Sequence, residues 1–308
     1  MNEDKATRYH RLRRQATFVG LVVKTVVLVG ALLSGAAAAL RDRLLDGTSS
    51  WVGPAMLYTT WVALALGVVD LVVDGYRDLV VERRYGMTRQ GLRQWVSGRA
   101  AGGAVVLAGE VAAGVLVLAC VRTTPDSWWI PASVVLSLLL VGLACAAPVL
   151  LMPLAYDVVP LDRPALTARL MRLADRAGTD VVGVFEWRLG HLTKKANAML
   201  AGLGRTRRIL VSDTLLLDHS DDEIEVILAH ELAHLVHRDT WTSLALQVVT
   251  LVTACRVAAG VLPRAADALG LTGPADLAAL PLLVLVGGGV AAIARPDRKS
   301  TRLNSSHT

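Results

Sequence analysis

Apolar positions along this chain gather into long blocks, and six of them approach the length of a bilayer crossing. They are Phe18–Leu40, Ala55–Val73, Ala100–Val121, Ile130–Leu154, Trp241–Val261 and Leu277–Ala294. A helix needs about 20 apolar residues to cross the hydrocarbon core. The sixth block is short and carries Pro281, a residue that membrane helices tolerate. Between the fourth and fifth blocks the pattern changes. After Asp162-Arg163-Pro164, an N-cap and a first-turn proline, Leu166, Leu170, Leu173 and Ala177 recur at helical spacing until Gly178. Val181–Trp187 reads as a strand. Asn197–Ala201 and Arg208–Val211 read as two more, with Gly202 and Gly204 between them as a hairpin turn. Ser220-Asp221-Asp222-Glu223 then fits a capping box ahead of Ile224, Ile227, Leu228 and Leu232.

The pattern predicts a mainly α membrane protein of about six transmembrane helices with an inserted α/β unit. Its expected divisions are a basic tail at 1–17, four membrane helices in 18–156, the polar unit at 157–239 and two further membrane helices in 240–296. The stretch 297–308 is expected to be a non-native tail. Composition agrees: 54% of residues are hydrophobic, 19% are charged and mean hydropathy is +0.49.

The charge of +6 does not point to nucleic acid, because the basic residues lie at block ends rather than in one patch. Lys5, Arg8, Arg11, Arg13 and Arg14 precede the first block. Arg77, Arg83, Arg84, Arg89, Arg93 and Arg99 lie between the second and third. The opposite loops hold only Arg41, Arg43, Arg122 and Arg264. The positive-inside rule therefore predicts a multi-pass cell-membrane protein with its N-terminus and polar unit in the cytoplasm. Cys120, Cys145 and Cys255 sit inside apolar blocks without metal spacing and are expected to be free thiols. Glu110 is mid-block and needs a partner or a wet cavity; Lys24 is a candidate partner.

The chemistry concentrates in His230-Glu231-Leu232-Ala233-His234 on the capped helix. Residues i and i+4 lie about 40° apart around a helix, so two imidazoles can converge on one tetrahedral ion. Glu231 sits beside the first ligand, within reach of a water on the metal. With seven His and seven Glu in the chain, chance produces this pattern about once in 300 such sequences. The expectation is one zinc per chain held by His230 and His234, with Glu231 as catalytic base. His237 and Asp239 are candidates for orienting a ligand or facing substrate.

These residues resemble the integral-membrane zinc metallopeptidases that include the type I CAAX prenyl endopeptidases and the heat-shock-type membrane protease. The resemblance rests on Asn197-Ala198, Gly202-Leu203-Gly204, the run Arg207–Thr214 and the run Ala229–Asp239. Glu82–Met87 with Trp95 resembles the loop after the second membrane helix of the prenyl-protease branch. It implies a gluzincin-type unit among membrane helices, acting on peptide or membrane-protein substrates. It also implies that Asn197 lies on an edge strand where substrate can pair.

Two departures stand out. Ala233 occupies a position where the family has glycine. The family's third ligand, a glutamate in an E-x-x-x-D pattern after the last crossing, has no counterpart, because no glutamate follows Glu231. The expectation is a C-terminally truncated copy of a longer enzyme. A quality-control protease, a regulatory sensor protease and an inactive scaffold stay open as alternatives.

Overall fold

The computed structural model describes residues 5–88, 90–146, 157–188, 190, 197–202, 206–236 and 239–294. The chain is mostly helical and forms two compact units. One comprises residues 1–24, 63–110 and 138–245, and the other 25–62, 111–137 and 246–308.

Five helical stretches are long and apolar enough to cross a membrane: Thr7–Leu33, Val52–Arg84, Leu92–Thr123, Trp129–Ala146 and Trp241–Leu269. Large apolar side chains on them, such as Phe18, Trp61, Val72, Leu138 and Val249, are exposed. Such continuous apolar surface is intolerable in water and suits lipid. The sixth block is a shorter apolar helix, Leu277–Ile293, with Pro281 in its first turn, where the missing N–H costs nothing. The first block is broken. Helix α1 (Lys5–Leu33) extends back through the basic tail and stops at Ser34-Gly35. Gly35 takes a left-handed φ of 75°, and α2 (Ala36–Leu45) follows.

Within the first unit, α3 (Val52–Gly75) runs into a π-helical stretch, Tyr76–Val81, and a last turn at Glu82–Arg84. The buried Glu82 carboxylate accepts from Tyr9 Oη at 3.3 Å and from Arg13 Nη1. The Trp95 indole donates to Asp78 at 3.1 Å. Lys24 donates to Asp70 at 2.6 Å, and both are electrostatic neighbours of Glu110.

The α/β part of this unit is a four-stranded sheet. Its strands are β1 (Val158–Pro160), β2 (Val184–Trp187), β3 (Ala198–Ala201) and β4 (Arg208–Ser212), in spatial order β1-β2-β4-β3. The β2–β4 pair is parallel and the two outer pairs are antiparallel. The hairpin turn is real at Gly202, whose φ is 100°; Gly204 lies outside the described residues. The amphipathic helix Pro164–Arg176 covers the sheet through Leu166, Leu170 and Ala174. Its N-cap is Arg163 rather than Asp162, and no side chain caps it. Proline at the first helical position fixes the entry dihedral there without a cap.

In the second unit, α4 (Leu92–Thr123) contributes its C-terminal part and α5 (Trp129–Ala146) its start. Gly114 lies so close to Thr59 that a Cβ would stand 2.4 Å from Thr59 Cγ2. Tyr58 donates to Ala37 O at 3.2 Å. Cys255 is buried in a cluster with Val121, Trp128, Ala132 and Ala258, and all three cysteines are free thiols.

Candidate active site

Helix α8 (Asp221–Val236) carries the HExxH run, following a short helix α7 (Asp213–Asp218); Pro164–Arg176 is α6. Its start is capped as the pattern predicts. Ser220 N donates to Glu223 Oε2 at 2.8 Å, and Glu223 N donates to Ser220 Oγ at 3.4 Å. These hydrogen bonds, the backbone one first, hold the Glu223 carboxyl below the ordinary glutamate range. Arg169 of α6 bonds Glu225 and Asp222, tying the first turn sideways to α6, and those two carboxylates hold its own pKa up. Acids here also meet the positive end of the helix dipole.

Ile224, Leu228 and Leu232 recur every four residues and are buried against Leu166, Leu170, Ala198 and Ile209. That stripe fixes the helix's rotation. His230 lies about 200° around from Leu228, and position 234 about 40° further. His230 is exposed and Glu231 half-buried. The His234 side chain and all of His237 lie outside the described residues. Asp239 opens α9 (Asp239–Ala266), and its side chain lies outside them too. Among the described residues, no three His, Cys, Asp or Glu side chains gather into a metal-sized group. The donor chemistry fits zinc: His230 presents an exposed imidazole on the outward face of α8, and a second histidine follows one turn on in the sequence.

β3 is an edge strand and packs on α8, Ala198 and Leu200 sharing the core with Leu228 and Leu232. Asn197 stands exposed at its start. Asn197 N donates to Ser212 Oγ at 2.8 Å and Ser212 N to Asn197 O at 2.9 Å. Ladder bonds therefore fall at Asn197, Met199 and Ala201, and the N–H and C=O groups of Ala198 and Leu200 point away from β4, toward the sheet's edge.

Sequence reasoning missed Ser212. It is fully buried, caps α7 by accepting from Leu215 N at 3.2 Å, and anchors Asn197. The signal was present: Ser212-Asp213-Thr214 precedes Leu215-Leu216-Leu217, an N-cap ahead of an apolar run. Asp213 accepts from Gly190 N and Thr214 N, fixing the same corner.

A multi-pass helical chain holding a small α/β unit with HExxH on a capped, core-locked helix is built as an integral-membrane metallopeptidase. Residues 2–156 match the family described as CAAX prenyl protease N-terminal, five membrane helices, and residues 160–295 match peptidase family M48. The chain belongs to peptidase family M48, with the CAAX prenyl protease N-terminal region ahead of its peptidase region.

It is 26% identical over 299 residues to the uncharacterized metalloprotease YhfN of Bacillus subtilis, covering 91% of this chain and 67% of that one. It is 28% identical over 170 residues to CAAX prenyl protease 1 of Saccharomyces cerevisiae, covering 54% of this chain. That match spans 37% of the yeast protein, well under half its length. The crystal structure of Ste24p from S. mikatae shares the fold, with a TM-score of 0.78 at 18% identity over 94% of this chain and 72% of that one.

Proposed function

We propose that this chain is the membrane and peptidase portion of a zinc-dependent metalloendopeptidase resembling the CAAX prenyl proteases. It sits in the cell membrane with its N-terminus and residues 157–239 in the cytoplasm. His230 and His234 hold the zinc; a third ligand is not assigned in this chain. When bound, zinc supplies a Lewis acid that acidifies water and polarises the scissile carbonyl. Glu231 takes the proton of the attacking water and hands it to the leaving amine. The open edge of β3 receives the substrate backbone as an added strand, and Asn197 contacts it. Ser212 holds Asn197 in register. His237 and Asp239 are assigned the lesser task of orienting these groups.

One observation carries the reading. His230 stands exposed on the side of α8 turned away from Ile224, Leu228 and Leu232, which lock the helix to the sheet core, and β3 beside it is an edge strand. The test is Glu231→Gln in the purified protein. Zinc measured by mass spectrometry should stay at wild-type occupancy, while peptide cleavage falls about 10²- to 10⁴-fold. His230→Ala should lose the metal itself. Unchanged turnover in Glu231→Gln would sink the assignment. Farnesylated CAAX peptides assayed beside unfolded membrane proteins separate the prenyl-protease reading from quality control.

A further inference from the structure

The second unit contains a cavity of about 310 Å³ whose lining includes Arg41, Trp51, Arg122, Thr272 and Asp276. We propose that it binds the phosphate of an anionic phospholipid. The pocket is independent of the peptidase residues.

Its charges are unevenly committed. The Asp276 side chain is fully buried and accepts from Arg41 Nη1, from Thr272 N at 2.8 Å and Oγ1 at 3.0 Å, and from Ala278 N at 2.9 Å. That carboxylate is satisfied within the protein, and its charge is offset by its ion pair with Arg41. Arg41 spends Nε on Asp42 at 2.9 Å and Nη1 on Asp276. Asp42 and Asp276 hold its guanidinium charged, and among the described residues the Nη2 donors have no hydrogen-bond partner.

Arg122 is exposed and has no carboxylate partner among the described residues. Its guanidinium carbon lies 5.6 Å from the centre of the Trp51 ring. A stacked arginine with unspent donors beside a second one is suited to a phosphate, because the planar fork matches its oxygens.

The pocket's depth identifies the source of that phosphate. Trp51 immediately precedes α3, Arg122 lies in the last turn of α4, and Leu277 begins the short turn leading into the last apolar helix. The walls are thus ends of membrane helices, the level at which headgroups lie and tryptophan concentrates. Leu45, Leu118 and Leu277 supply an apolar side for the glycerol and the first acyl carbons.

The test is native mass spectrometry of the full chain, titrated with dioleoylphosphatidylglycerol and, separately, dioleoylphosphatidylcholine. The wild type should retain phosphatidylglycerol preferentially. Arg122→Gln should weaken that lipid about tenfold, the worth of a charged hydrogen bond, and leave phosphatidylcholine unchanged. Arg122→Lys should fall between. Arg122 is exposed, so the variant's circular dichroism and melting should match the wild type. Three results would overturn the proposal. One is equal retention of the two lipids by the wild type. Another is an equal loss in Arg84→Gln, an exposed arginine of the other unit. The third is stripping of the lipid by millimolar inorganic phosphate, which would make this a free-anion site.

Discussion

Leu228 tests the rotation of the active-site helix more directly than any catalytic residue. It is fully buried and lies two residues before His230. Truncation to alanine removes three carbons, about 2.4 kcal/mol of transfer free energy. The surrounding Leu166, Leu170 and Ile209 belong to a different helix and a strand, which limits collapse into the void. The expected cost is therefore about 2–5 kcal/mol. Val226 on the same helix is 70% exposed, and its truncation should cost less than about 0.5 kcal/mol. Hydrogen–deuterium exchange of the solubilised protein reads both variants at the amides of α8 and β4. Leu228→Ala should lower protection roughly 30- to 4,000-fold, and Val226→Ala by less than about threefold. Equal losses, or a larger loss in Val226→Ala, would mean that α8 faces the other way. His230 would then point into the sheet and could not meet substrate.

Three other predictions concern a helix cap, a hairpin turn and a close helix contact. Glu223 has a depressed folded pKa, so its capping contribution is complete above the ordinary glutamate range and disappears as pH falls through the lowered folded value. Amides 221–225 should lose normalised exchange protection on acidification in the wild type but not in Glu223→Gln. Gly202→Ala places a side chain at φ 100° and a Cβ 2.6 Å from Thr206 O, so the β3–β4 hairpin should lose about 1–3 kcal/mol, read as lost protection in both strands. Gly114→Ala should lower the thermal midpoint through overpacking worth about 1–3 kcal/mol, since Thr59 is buried and its hydroxyl is bonded to Ala55 O. Gly109→Ala on the same helix meets nothing within 4 Å and should be neutral or stabilising.

Local rules carried much of this protein. Apolar block length marked the five long membrane helices, because lipid requires continuous apolar surface on each helix separately. The capping box and the four-residue stripe of α8 were legible for a similar reason: a helix start and a helix face are written within a few turns. The HExxH run lies on the same helix, so the stripe sets which way His230 turns.

What needed the tertiary structure was every pairing between distant segments. Strand β1 is three residues long, and nothing local distinguishes Val158–Pro160 from a loop until β2 pairs with it. The choice of Asp70 as the partner of Lys24 depended on how α1 meets α3. Ser212 lies just past the predicted strand Arg208–Val211, and its hydroxyl meets Asn197 fifteen positions back because β3 and β4 are antiparallel. The cavity brings Thr272 and Asp276 to Arg41, more than 200 positions earlier in the chain, and to Arg122. Periodicity and capping act within a turn or two of chain, whereas hydrogen-bond partners and cavities are set by which elements pack together.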